Sequence, residues 1–260
     1  MAFFKKKYNT GRDGLSRDTI INGARLITAA EPKNSVSEQF RTIRTNIEFA
    51  SVAKGNVKTL LVSSPLPSEG KSTITANLAV AYAQQGKKVL LVDTDLRRPT
   101  VAVTFGITDN HGLTNYLADV NSEARSIIRH TRLETLDVVT SGPVPPNPAE
   151  LLASSRMTNL IAELREHYDM VIFDVPPFLM VADAQVLMSK MDGVAVVVSG
   201  RQTTKGALQR TVDMLKLAEA PMLGFIFNDR NRKKNSDRGY GYGYGYGYGY
   251  GYGYGYGDTK

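Results

Sequence analysis

The chain has 260 residues, 42% of them apolar, and a formal charge of +7. That length and apolar content suit one substantial core of about 230 residues, and the charge is too modest to specify a polyanionic partner, so no specific nucleic-acid role is expected. With no cysteine, disulfides, thiolate catalysis and cysteine metal sites are excluded. No apolar run approaches the roughly 18 residues of a membrane span, and Ala2-Phe3-Phe4 ahead of Lys5, Lys6 and Lys7 is too short and wrongly ordered for a signal peptide. A cytoplasmic chain is expected, one that reaches a membrane only through a partner.

Residues 1–30 carry Gly11, Gly14 and Gly23 among charges without periodicity, and read as an irregular N-terminal arm. Over 36–50 the pattern becomes helical: at about 100° per residue, Val36, Phe40, Ile43 and Ile47 fall within an arc of roughly 60°. Short runs rich in Val, Ile and Leu follow at 57–63, 88–93, 135–140, 170–174, 194–199 and 222–228, and such runs suit strands buried on both faces. Helical patterns separate most of them: 72–85 with Gly86 as its stop, 149–167 with a break near Ser154, and 203–218. Strand and helix in alternation predict an α/β domain over 31–229, a mostly parallel sheet with helices on both faces. Ligands of such sheets bind beyond the carboxyl ends of the strands. His111, His130 and His167 share no ligand spacing and read as surface residues.

The charged and glycine-containing motifs fall at those strand ends. The first run leads into Ser64-Pro65-Leu66-Pro67-Ser68-Glu69-Gly70-Lys71-Ser72-Thr73, the ending of a phosphate-binding P-loop followed by a helix. Backbone N–H groups over Glu69, Gly70, Lys71, Ser72 and Thr73 would cradle the phosphates of ATP, Lys71 would reach the β and γ oxygens, and the Ser72 hydroxyl would ligate Mg²⁺. Pro65 stands where the usual first glycine belongs. The second run ends in Asp93-Thr94-Asp95-Leu96-Arg97-Arg98, and the fourth in Asp174 before Val175-Pro176-Pro177. A lone aspartate at a strand end is equally a turn former, but three carboxylates at strand ends after a P-loop suit Mg²⁺ with one left to act on a hydroxyl.

Residues 230–260 form a basic linker with Arg230, Arg232, Lys233 and Lys234, then nine tyrosines alternating with glycine: Tyr240, Tyr242, Tyr244, Tyr246, Tyr248, Tyr250, Tyr252, Tyr254 and Tyr256. Tyr-Gly alternation has too little apolar mass to offset the entropy of ordering a glycine-rich backbone, so a flexible string of phenols is expected. Taken alone, such a tail is as readily an adhesive segment as a substrate.

Together the Gly70-Lys71-Ser72-Thr73 loop, the Asp93-Thr94-Asp95-x-Arg97 and Asp174 strand ends and the tyrosine cluster resemble the bacterial tyrosine kinases of capsule and exopolysaccharide systems, over about 31–230 plus the tail. The segment Pro145-Pro146-Asn147-Pro148-Ala149-Glu150-Leu151-Leu152 also resembles a stretch of that family. The resemblance implies a P-loop NTPase-like fold and autophosphorylation of the tail. It implies that Ser72, Asp95 and Asp174 hold Mg²⁺ directly or through water, and that Asp93 orients or deprotonates the incoming tyrosine. Arg97 would stabilise the transferring phosphoryl or form a structural ion pair, and Asn228 would meet adenine or simply end its strand. Glu38-x-x-Arg41-x-x-Arg44 resembles the family's subunit-contact segment, although a charged helix flank is ordinarily just solvated. The resemblance implies a ring-like homo-oligomer, with an octamer as one size, a separate transmembrane activator protein, protein tyrosine substrates and an opposing tyrosine phosphatase. Partitioning and positioning ATPases share these loops, but carry a lysine five residues before the P-loop lysine, where this chain has Leu66. A nucleotide-binding scaffold without kinase activity is the third reading.

Treated as a coil, thirty residues span roughly 30 Å, enough to reach a neighbouring subunit. Each phosphotyrosine adds about −1.5 to −2 charges, so about five would cancel the chain's formal charge. Phosphorylation should therefore loosen the assembly at low salt; light scattering checks this, and equal masses for phosphorylated and unphosphorylated protein would refute it.

Overall fold

All residues of three strands, Thr-Leu-Leu-Val-Ser, Val-Leu-Leu-Val-Asp and Met-Val-Ile-Phe-Asp, are buried, because apolar side chains on both faces exclude water from either side. In the computed structural model, which describes residues 19, 21–52 and 55–229, these are β1 (Thr59–Ser63), β2 (Val89–Asp93) and β5 (Met170–Asp174). With β3 (Ile128–His130), β4 (Leu136–Val139), β6 (Gly193–Ser199) and β7 (Met222–Asn228) they form a seven-stranded sheet in the order β3-β4-β2-β5-β1-β6-β7. Neighbouring strands are parallel except β3 with β4. The antiparallel β3 was not among the expected strands, since its three partly exposed residues carry no usable alternation.

Before β1 come α1 (Ile27–Ala30) and α2 (Ser35–Val52), and between the strands run α3 (Lys71–Ala83), α4 (Val101–Phe105), α5 (Leu113–Ala118), α6 (Pro148–Ala153), α7 (Ser155–His167), α8 (Asp183–Met188) and α9 (Lys205–Leu217). Leu61, Val92 and Phe173 pack with Leu160 and Leu164 of α7 and Leu187 of α8, while Leu60, Val62, Leu91 and Ile172 pack with Phe40 and Ile47 of α2 and Leu78 and Val80 of α3. Helices therefore cover both faces, as the alternation predicted. The break near Ser154 is real: its extended backbone ends α6, and its hydroxyl caps α7 by accepting from the Met157 N–H. Gly86, at φ +85°, follows the end of α3. Among the described residues no helix is long and apolar enough to cross a membrane.

Two expectations need correction. Val36, counted in the apolar stripe of α2, is exposed; Ser37 turns inward instead, its hydroxyl donating to the Glu31 carbonyl at 2.7 Å. The arm expected over 1–30 ends in packed chain, because Ala24 and Leu26 are buried in the core beside α3. Its backbone is tied by long-range bonds: Ala24 N–H donates to Thr104 Oγ1, Thr28 N–H to Asn77 Oδ1, and Asn77 Nδ2 to the Arg25 carbonyl. No local period announces partners so distant in sequence. The described part of the arm from Ala24 is therefore packed with the domain rather than irregular.

At the opposite end of the sheet from the P-loop, Asp192 joins three elements. Its Oδ2 accepts from the Lys58 and Thr59 N–H groups and the Thr59 hydroxyl, at 2.8 to 3.0 Å, and Oδ1 accepts from Arg165 at 2.6 Å. Burial alone would raise this carboxyl, but the Thr59 N–H and Arg165 outweigh it and hold its pKa below the ordinary aspartate value. A carboxyl depressed in the folded state contributes stability above its unfolded pKa and loses it as pH falls through the folded one. Asp192→Ala should cost about 2 kcal/mol at neutral pH, with the deficit shrinking below about pH 4. Urea unfolding at several pH values measures both effects.

Candidate active site

The carboxyl ends of β1 and β2 flank that of β5. Register sets Asp93 opposite Asp174 and Val62 opposite Asp174 on the other side, with neighbouring strands about 4.8 Å apart. The loop leaving Ser63 thus starts beside the two carboxylates. It turns through Ser68 at φ +64° and Gly70 at φ +91° before α3 begins at Lys71. Glycine is favoured at 70 by the left-handed backbone, and a Cβ there, 2.4 Å from Asn228 Nδ2, would also push the Asn228 amide aside. The first N–H groups of α3 have no intrahelical partner and offer a cradle for phosphate oxygens.

Lys71 brings the strand ends together. Its Nζ lies 2.9 Å from Asp95 Oδ2, 3.4 Å from Asp174 Oδ1 and 3.1 Å from the Ser72 hydroxyl. Burial acts against its charge, but Asp174 and Asp95 more than offset this and hold its pKa above the usual lysine value. Asp174 is buried; Thr75 donates to its Oδ1 at 3.3 Å, and Oδ2 has no hydrogen-bond partner. Burial raises its pKa, opposed chiefly by the Lys71 ammonium.

Asp93 is fully buried beneath the loop that follows β2. Its Oδ2 accepts from the Thr100 and Val101 N–H groups, both at 2.9 Å, and Oδ1 from the Asp95 N–H at 3.2 Å. Burial pushes this carboxyl up to about 8, and neighbouring Asp174 adds to the effect against the Val101 N–H. Arg97 makes the structural ion pair, one of its two expected roles: Nε and Nη2 meet Asp183 at 2.9 and 3.2 Å, and that carboxylate is fully buried at the start of α8. Asn228 donates from Nδ2 to the Glu69 carbonyl at 2.8 Å, bracing the loop.

The Glu38, Arg41 and Arg44 segment is divided. Arg41 pairs with Glu38 and donates to the Pro32 carbonyl on the outer side of α2, whereas Arg44 donates to the Ala81 carbonyl of α3 at 2.8 Å. Arg44 thereby joins two helices of its own chain. The nine tyrosines and the basic linker lie outside the described residues.

Sequence reasoning missed three contributors: Thr75, Asp183 and Thr203, whose hydroxyl donates to Glu69 Oε1. Nothing in their local sequence signals a site, because their partners lie 86 to 134 positions away.

A nucleotide-binding P-loop ATPase-like domain is what this loop and sheet define, and comparison with known proteins narrows the class. The family model described as an AAA domain matches residues 68–223. The chain is 49% identical over 212 residues to Tyrosine-protein kinase YwqD of Bacillus subtilis (strain 168), covering 82% of this chain and 89% of that protein. The crystal structure of the chimerical protein CapA2B2 aligns at 40% identity and TM-score 0.75 over 80% of this chain and 90% of its own. The kinase domain of Escherichia coli tyrosine kinase ETK aligns at 30% identity and TM-score 0.77, over 93% and 91%. The chain belongs to the bacterial tyrosine-protein kinases. It is a protein-tyrosine kinase, which decides against the positioning ATPase and the inactive scaffold.

Arg97→Ala would leave the Asp183 carboxylate buried without its cation. We expect a loss of about 2 kcal/mol, below the range for a fully buried pair because the guanidinium is half exposed. In urea unfolding, Asp183→Asn in the same chain should restore part of that loss.

Proposed function

We propose that this kinase transfers the γ-phosphoryl group of ATP to the tyrosines of its own C-terminal cluster, Tyr240 to Tyr256. The acceptor belongs to a neighbouring subunit of a ring-like homo-oligomer, and the modification regulates capsular or exopolysaccharide synthesis and export. One observation carries the reading: the same chain holds the Lys71, Asp95 and Asp174 cluster at the end of a P-loop sheet and a nine-tyrosine string.

The residues fit Mg²⁺. Asp174 Oδ2 is a buried carboxylate oxygen with no partner, which a hard cation would satisfy, and the Ser72 hydroxyl lies beside Lys71. Mg²⁺ at phosphate sites is commonly held by one or two carboxylates plus substrate phosphates. Ser72, Asp95 and Asp174 would hold it directly or through water, and it would supply charge neutralisation at the phosphates.

Lys71, between two carboxylates, is placed to turn its ammonium toward phosphate oxygens, and Gly70 with the first N–H groups of α3 lets the backbone approach them. The tyrosine oxygen forms its bond to phosphorus as the bond to the ADP oxygen breaks, and the hydroxyl proton leaves to a carboxylate. Asp93 would orient that hydroxyl or take its proton: burial raises its carboxyl, and three backbone N–H groups hold it in place at the start of the Asp95 loop. Glu38 and Arg41, on the outer side of α2, remain available for subunit contact. A separate transmembrane activator would recruit the cytoplasmic chain to the inner face of the membrane, and a tyrosine phosphatase would reverse the modification.

Intact-mass spectrometry after incubation with Mg²⁺ and ATP tests this, with and without a cytoplasmic peptide of a candidate activator. Successive additions of one phosphate, mapped to the tail and missing in Lys71→Met, are expected. ATP consumption without any mass shift would defeat the proposal.

A further inference from the structure

Pro65 replaces the glycine that ordinarily opens a phosphate-binding loop, so something else must hold the loop in shape. Within the loop, Glu69 folds back: its Oε2 accepts the Leu66 N–H at 2.8 Å, and the Ser64 hydroxyl donates to the Leu66 carbonyl at 2.7 Å. Glu69 is almost completely buried, at 1% exposure, and its two carboxylate oxygens are met by neutral donors. Burial accordingly raises its pKa, against the Thr203 hydroxyl and the Leu66 N–H.

The second carboxylate oxygen is held from outside the loop. Thr203, between β6 and α9, donates its hydroxyl hydrogen to Glu69 Oε1, and its Oγ1 accepts the Ser199 N–H at 2.8 Å. Both hydroxyl functions are thereby used, and the loop is tied to the end of β6. Beside it, Asn228 grips the Glu69 carbonyl at the end of β7. With its amide nitrogen toward the loop, Gln202 reaches the carbonyls of Pro67 and Ser68, both at 3.2 Å.

We propose that Thr203 is a positioning residue of the kinase site: through Glu69 it sets the shape of the phosphate-binding loop, standing in for the rigidity of the missing glycine turn. Its hydroxyl is engaged by Ser199 and Glu69. A hydrogen bond to a buried carboxylate is worth enough for its loss to be read in nucleotide affinity.

The test is titration calorimetry of the full chain with Mg²⁺-ADP, beside thermal unfolding without nucleotide. Thr203→Val should bind ADP about tenfold more weakly, and Thr203→Ser, which keeps the hydroxyl, within about twofold of the native chain. In a Glu69→Ala background, Thr203→Val should change affinity by less than about twofold, because the route is already cut. Native affinity in Thr203→Val, a tenfold loss in Thr203→Ser at unchanged unfolding temperature, or equal losses in both backgrounds would overturn the proposal. Should Thr203→Val fail to fold, Thr203→Ala, which also lacks the hydroxyl, takes its place in both backgrounds with the same outcomes expected. ADP binding reads the loop directly, so failure here would leave tail autophosphorylation standing, and failure of the mass experiment would leave this result intact.

Discussion

One lysine among three carboxylates is the constraint on which the P-loop end of this molecule depends. Asp93, Asp95 and Asp174 are each nearly excluded from water, and Lys71 is the cation within reach of two of them. Buried carboxylates so close cannot all carry charge without compensation. The fold divides the burden: backbone N–H groups satisfy Asp93, Lys71 meets Asp95 and Asp174, and one oxygen of Asp174 is left without a partner. Such a site is electrostatically prepared for a cation and for the phosphates that accompany it, and phosphoryl transfer asks chiefly for positioning and charge stabilisation.

Support for that cluster comes from three directions. The sheet aligns the strand ends through register, and the loop after β2 is pinned by Asp93. Arg97, half exposed, is drawn toward the buried Asp183 at the start of α8, tying this loop to the segment after β5. On the far side, α2 is joined to α3 by Arg44 at the Ala81 carbonyl, and to the segment between α3 and β2 by Glu48 with Lys87. The helix carrying the oligomer-contact candidates therefore packs on the helix that starts at Lys71.

Much of the fold was legible because its strands are buried on both faces and write that burial as continuous Val, Leu and Ile runs. The expected strand at 170–174 and the break near Ser154 match the structure residue for residue, since burial and capping are local signals. Weak local signals were misread in the other direction. Ile128–His130 is three residues long, and Ala24 and Leu26 are too few to show a period, though both segments pack into the domain. Val36 obeyed the helical period and still points outward, because a stripe's first member has no further turn to cover it.

By itself the sequence determined the parallel α/β architecture, the phosphate loop ending at Lys71 and the set of acidic strand ends, because periodicity, a left-handed glycine and short motifs are encoded over a few neighbouring positions. Tertiary structure alone decided which partner each side chain takes. Arg97 meets Asp183 86 positions away, Arg44 meets Ala81 at 37, and Glu69 meets Thr203 at 134. Those pairings are set by strand order and by the crossing of α2 over α3, and a hydrogen bond formed through space leaves no trace in the spacing of the residues that make it.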